Sequence, residues 1–185
     1  MRNLLHFLQQ LLLTLLLVVL AGLLLAGIYF GWQGHTLYQK AIADHPIAAM
    51  YDSIRSRTDF VSYEAMPKTY VQAVIAVEDR RFASHHGIDP ISIGRALLID
   101  LKTHSLAEGG STLTQQLAKN ELFTQEKRLA RKAAEMFAAL AIEKAYSKQQ
   151  IFEMYANTIY FGNGCYGIVQ AAAGYFGKTP AALTD

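Results

Sequence analysis

From Leu11 to Phe30 the chain runs without a charge, and all but Thr14, Tyr29 and Phe30 are aliphatic or glycine. As an α-helix such a run is about 30 Å long, the thickness of a bilayer's hydrocarbon core. No other feature limits the fold so strongly, because backbone in lipid must satisfy its own hydrogen bonds. The competing reading is a cleavable signal peptide, whose apolar core is as a rule shorter. Trp32 follows the run, where an indole favours the membrane interface. The run therefore predicts a retained single-pass anchor over residues 1–34. Its orientation is weakly determined: Arg2 precedes it and Lys40 is the first cation beyond, so the positive-inside rule has little to weigh.

The anchor explains a chain that is 52% hydrophobic and only 17% charged. The remainder suffices for one modest domain. Residues 35–50 read as a juxtamembrane linker and 51–185 as the domain. There the pattern predicts a short extended piece near Phe60–Tyr63, a helix with Pro67 in its first position, and turn chemistry over Ala83–Asp89. Further helices are expected over Ile91–Leu101, Thr112–Asn120, Glu126–Tyr146, Lys148–Phe161 and Ile168–Phe176, with another starting at Thr179-Pro180. Thr103–Gly110 reads as a mobile loop. The fold class is mainly α, with no internal repeat and a C-terminal edge that looks cut short.

The stretch Val71–Gly87, VQAVIAVEDRRFASHHG, places Val71, Ile75, Glu78 and Phe82 on one helical stripe, apolar except for Glu78. A carboxylate facing apolar surroundings loses solvation, which favours its protonated form and suits a general acid or base. Asp79 is expected a quarter-turn away and ionised. The plainer alternative is an exposed Glu-Asp pair at a fraying helix end.

Two further clusters could carry chemistry. Gly109-Gly110-Ser111-Thr112-Leu113-Thr114-Gln115-Gln116 is a glycine-rich loop feeding a helix start, with Lys119 one turn beyond Gln115. Free N–H groups, the helix dipole and three hydroxyls suit a phosphate or pyrophosphate, although the Gly-Lys-Ser/Thr ending of a nucleotide P-loop is absent. An ordinary capped helix, with Thr112 and Gln115 at capping-box spacing, explains the same residues. Arg128, Arg131, Lys132 and Glu135 share a helix face, placed opposite a stripe of Leu129, Ala133, Met136 and Leu140. They could bind a dianionic leaving group, or form a solvated face whose Arg131–Glu135 pair is worth a few tenths of a kcal/mol.

Charge and cysteine count exclude other classes. A net charge of +2 is too small to suggest nucleic acid, although seven of the 17 Lys and Arg lie between Lys119 and Lys148 against four acidic residues, a local basic surface. The single cysteine, Cys165, permits no intramolecular disulfide and no cysteine-rich zinc site, and no partner that would activate it is evident. Asp79, His85, His86 and Asp89 could suggest a metal, but adjacent histidines point apart and no HExxH pattern exists. No dedicated metal site is expected. Tyr155, Tyr160, Tyr166 and Tyr175 read as packing residues.

The segments EDRRFASHHGID (78–89), GGSTLTQQLAKN (109–120), RKAAE (131–135), KQQIFEMYANTIYFG (148–162) and YGIVQAAAGYFGK (166–178) together resemble glycosyltransferase family 51 in order and approximate spacing. This family comprises the peptidoglycan glycosyltransferases. The resemblance covers Phe60 to Lys178, and the anchor without a second domain resembles the monofunctional type. It implies a lysozyme-like helical fold and polymerisation of lipid II outside the bacterial cytoplasmic membrane, by inverting transfer that releases undecaprenyl pyrophosphate. By resemblance Glu78 is the base that deprotonates the acceptor 4-hydroxyl, and Glu135 a second essential carboxylate near the donor pyrophosphate. Substrate binding would fall to Asp79, Phe82, His85, Gly87, Ser111, Thr112, Thr114, Gln115, Gln116, Lys119, Arg131 and Lys132. No protein-held cofactor is implied, though a divalent cation can bridge the substrate pyrophosphate. Implied partners are lipid II, the growing glycan strand, the membrane and other cell-wall synthesis proteins. Phe152 and Ala156 replace bulkier aliphatic residues usual in the family, and family members continue past the position of Asp185.

Two other functions compete with this one. A lysozyme-like hydrolase would use the carboxylate pair but has no need of Lys119, Arg131 and Lys132. A catalytically silent membrane protein that only binds lipid II or a cell-wall partner would suit a shortened domain.

Overall fold

A computed structural model describes residues 2–103, 109–123 and 129–183. Eight α-helices follow in order: α1 (Arg2–Asp44), α2 (Ile47–Arg55), α3 (Lys68–Glu78), α4 (Pro90–Thr103), α5 (Leu113–Leu122), α6 (Leu129–Ala145), α7 (Lys148–Thr158) and α8 (Gly167–Phe176). No strand occurs among the described residues; Tyr160 and Tyr166 form an isolated antiparallel bridge around the Gly162-Asn163-Gly164 turn. The mainly α expectation is met. The parts of the expected Thr103–Gly110 loop and Glu126–Tyr146 helix at 104–108 and 126–128 lie outside the described residues, as does Arg128.

α1 is long and apolar enough to cross a membrane. It also corrects the reading of 35–50 as a linker. The helix continues unbroken to Asp44, and α2 begins at Ile47, leaving only a corner at 45–46. Its final turns pack along α6, where Gly34 and Ala41 are buried.

α7 is the centre of the domain: from Ile151 to Thr158 every residue is buried, with α5, α8 and α2 against it. Buried polar groups in such a helix need partners, and these come from afar. Glu153 accepts from Tyr51 Oη at 2.7 Å and from the Tyr63 N–H at 2.6 Å. Asn157 accepts from the Val61 N–H and donates to the Val61 carbonyl, both at 2.9 Å. The extended piece near Phe60–Tyr63 is thus stapled to a helix. Ser147 and Gln150 form a capping box at the start of α7, and the helix ends at Thr158, three residues short of the expected Phe161.

The phase of α6 differs from expectation. Ala134, Glu135, Ala138, Ala139 and Ile142 face inward, whereas Leu129 and Leu140 are exposed. Alanines win the interior because α1, α5 and α7 all approach α6 closely, and only small side chains permit it. Consequently Glu135 lies on the buried face, not opposite it.

Candidate active site

α3 ends at Glu78, which corrects the proposed stripe: Phe82 lies beyond the helix, in the 79–87 turns. Asp79 caps α3 with φ −153° and ψ 75° and leaves the helical path. Its carboxylate is buried, whereas Glu78 is exposed on the wall of an open cleft. The expected burial of the two neighbours is therefore inverted.

Asp79 Oδ2 accepts from the Leu113 N–H at 3.0 Å and lies 2.8 Å from His85 Nε2. His85 Nδ1 accepts from the Gly87 N–H at 3.2 Å, so Nε2 carries the proton that is donated to Asp79. The Thr112 hydroxyl donates to the Gly87 carbonyl at 2.7 Å. Its oxygen also accepts from the Gln115 N–H, while Gln115 Oε1 accepts from the Thr112 N–H, the capping box expected from spacing. The start of α5 is thus not an open anion site. Asp79 is itself the anion at that helix N-terminus. Gly87 has φ +94°, and an added Cβ would fall 2.8 Å from the Ala139 carbonyl oxygen, so this turn lies directly against α6.

Six of the expected substrate-binding residues do not line the cleft. Asp79, His85, Gly87 and Thr112 form the inner bracket just described. The Thr114 hydroxyl points the other way, donating to Glu143 Oε1 at 2.6 Å. Phe82 is buried against Phe152, with Lys148 Nζ 4.5 Å from its ring centre. His86 is exposed and Asp89 is taken by Arg81 and Ser92; the four candidate metal ligands do not converge. Burial pushes the Asp89 carboxyl up, but hydrogen bonds from Ser92 and Ile91 and the Arg81 charge outweigh it and hold the group below the usual carboxylate range.

The cleft, about 530 Å³, brings the others together: Glu78, Ser111, Gln115, Gln116, Lys119, Arg131, Lys132 and Glu135. On one wall Gln116 Nε2 donates to Glu78 Oε2 at 2.9 Å. Tyr155 Oη donates to Gln116 Oε1 at 3.4 Å, fixing which end of the amide faces Glu78. Burial, with the Glu78 charge behind it, pushes the Tyr155 phenol well above its ordinary range, so it remains a donor. On the other wall Glu135 is paired with Arg131 Nε and Lys132 Nζ, each at 3.0 Å. Lys132 also donates to the Ser111 hydroxyl at 2.6 Å. Sequence reasoning missed two parts of this site. Tyr155 has the sequence signature of a packing residue, yet its hydroxyl reaches Gln116. The α4 wall of Ile93, Ala96, Leu97 and Asp100 has no local signal beyond its amphipathic pattern.

The arrangement sets a water-exposed carboxylate, oriented by an amide, across a cleft from a cationic wall. It can take a proton from a hydroxyl and stabilise a departing polyanion in one space.

Known proteins resemble this chain in sequence. Residues 44–185 match the family described as Transglycosylase. Penicillin-binding protein 1F of Bacillus subtilis is 46% identical over 75% of this chain and 19% of its own length. Penicillin-binding protein 1A of Vibrio cholerae is 49% identical over 65% and 15%. A monofunctional glycosyltransferase of Staphylococcus epidermidis is 43% identical over 69% of this chain and 47% of its own. The chain thus spans about half of the last relative, and less than a fifth of the first two. The family match takes in α2 to α8 and both walls of the cleft, and on it the chain belongs to the transglycosylases, glycosyltransferase family 51.

Proposed function

We propose that this chain polymerises lipid II into glycan strands, inverting the donor anomeric carbon and releasing undecaprenyl pyrophosphate at the outer face of a bacterial cytoplasmic membrane. The observation that carries the reading is the two-walled cleft, with Glu78 facing Lys119, Arg131 and Lys132. The acceptor 4-hydroxyl attacks the donor anomeric carbon as its proton passes to Glu78. The bond to the pyrophosphate oxygen breaks, and the electron pair leaves with the pyrophosphate. Glu135 keeps Arg131 and Lys132 aimed at that developing charge. A divalent cation bridging the pyrophosphate would arrive with the substrate, because both ionic contacts of Glu135 are already to side chains. The monofunctional glycosyltransferase among the relatives suits sugar transfer, and the membrane-length α1 and the exposed Ile91, Leu97 and Leu98 of α4 suit a lipid-linked donor. Hydrolysis would give no use to the cationic wall. Other cell-wall synthesis proteins remain expected partners.

Glu78→Gln tests the assignment. The amide oxygen can still accept from Gln116, and Glu78 is exposed, so lipid II binding and thermal stability should be kept. Glycan-chain formation should fall by about 10²–10⁴-fold, the usual contribution of a general base. Polymerisation at the parent rate would remove Glu78 as base. A parent chain that binds lipid II without polymerising it would instead favour the silent binding protein.

A further inference from the structure

α1 is one uninterrupted helix from Arg2 to Asp44, so the apolar run and the part docked on the domain share an axis. Gly34 meets α6 at close range. A Cβ there would lie 2.4 Å from Ala133 Cβ, 2.8 Å from the Ala130 carbonyl oxygen and 2.9 Å from the Ala134 nitrogen. Only glycine permits that approach. Beyond it, the His35 and Tyr38 rings lie 5.2 and 6.2 Å from Phe137, and Ala41 is buried. Ala130 and Ala134 flank Arg131 and Lys132 in sequence and precede Glu135. The turn of α6 that α1 grips is therefore the one that bears Arg131 and Lys132.

Helical rise converts this contact into a height. Gly34 lies four residues past Phe30, about 6 Å along the axis. The headgroup zone on each side of a bilayer is about 5–8 Å deep. We propose that α1 is a fixed-length spacer that holds Arg131, Lys132 and Glu135 at the depth of the membrane's phosphate groups, with Gly34 as the positioning residue that locks the spacing. The inference rests on the reading of the donor as a membrane-embedded polyprenyl pyrophosphate. A flexible linker over 35–50 would let the domain range over about 20 Å. A docked helix removes that freedom, so the donor's pyrophosphate meets the cationic wall while its tail stays in the bilayer.

The test inserts seven polar, helix-forming residues between Gly31 and Trp32 of the full chain. This lifts the docking point by about 10 Å and turns it by only about 20°. Parent and variant are reconstituted in phosphatidylglycerol–phosphatidylethanolamine vesicles. Each is given either long-chain lipid II embedded in the same vesicles or a short-chain, water-soluble lipid II analogue. The insertion should lower turnover of the embedded donor by about tenfold or more while the soluble donor stays within about twofold of the parent. The same seven residues placed ahead of Leu11 should change neither. Gly34→Leu, which forces α1 off α6, should lower the embedded-to-soluble ratio in the same direction. An unchanged ratio in the insertion variant, whether both rates survive or both fall together, overturns the spacer. A parent chain that uses neither donor would instead overturn the proposed function beneath it.

Discussion

Lys148 and Lys132 each hold a buried glutamate, yet their removal should have opposite consequences. Lys148 Nζ lies 2.7 Å from Glu143 Oε1, with the lysine side chain 28% and the glutamate 5% exposed. It also sits over the Phe82 ring. In Lys148→Met, Glu143 keeps only the Thr114 hydroxyl of these two partners. Losing a charged hydrogen bond costs about 1.5–3 kcal/mol, and the ring contact adds about 0.5–1 kcal/mol. Partial exposure of the lysine keeps the total below the upper end for breaking a fully buried pair, about 5 kcal/mol. A total of about 2–4 kcal/mol lowers Tm by about 5–12 °C in a chain of this size. Lys132 is 48% exposed over the cleft, and Glu135 retains Arg131 when it is lost. Lys132→Met should therefore cost less than about 1 kcal/mol of stability. If its ammonium meets the pyrophosphate, lipid II turnover should fall about ten- to a hundredfold. Thermal melts and polymerisation assays on the full chain in detergent read both quantities, with the exposed Lys144→Met as control. Equal Tm losses for the two lysines, or Lys132→Met polymerising at the parent rate, would refute the division of roles.

Tyr155→Phe removes the hydroxyl that orients Gln116. Turnover should drop severalfold, about what a hydrogen bond of 0.5–1.5 kcal/mol is worth, and a parent rate would mean that Gln116 needs no such support. The Asp89 carboxyl is held low in the folded chain, so its contribution is present above the unfolded value of about 3.9 and is lost as pH falls through the folded one. The Tm difference between parent and Asp89→Asn should then be larger at pH 7 than at pH 3; a constant difference would deny the linkage. Gly87→Ala places a methyl against the Ala139 carbonyl in left-handed backbone and should lower Tm, whereas Gly109→Ala, with open space around it, should not. For topology, Cys165 is buried and is a poor reporter. A cysteine at the exposed Ala83 should react with an impermeant thiol reagent on intact cells, and labelling only after the inner membrane is opened would reverse the proposed orientation.

What the sequence made legible was local. Arg131, Lys132 and Glu135 are three and four residues apart, and that spacing alone brings both cations to one carboxylate on a helix. Thr112 and Gln115 likewise declared their capping box, and the leucine run declared α1. Distance in sequence hid the rest. Nothing near Glu153 or Asn157 shows that their partners are Tyr51, Val61 and Tyr63, about ninety to a hundred residues earlier. The phase of α6 was hidden for another reason. Apolar bulk is the sequence's usual mark of burial, whereas close helix contact selects small side chains, and Leu129 and Leu140 lie outside.

The inversion of Glu78 and Asp79 follows from one helix boundary, the feature a sequence specifies least sharply. Had α3 run on to Phe82, Glu78 would have shared its inner stripe. Because the chain leaves the helix at Asp79, that carboxylate turns inward to the Leu113 N–H and His85, and Glu78 is left at the cleft edge. The exchange makes chemical sense. A carboxylate with an N–H and an imidazole as buried partners can hold two segments together but has no route to a substrate. One exposed to the cleft, with Gln116 donating to it, is open to a substrate. Asp79, His85, Gly87 and Thr112 therefore act on Glu78 through the backbone: they fix the turn on which it sits relative to α5, the helix that carries Gln116.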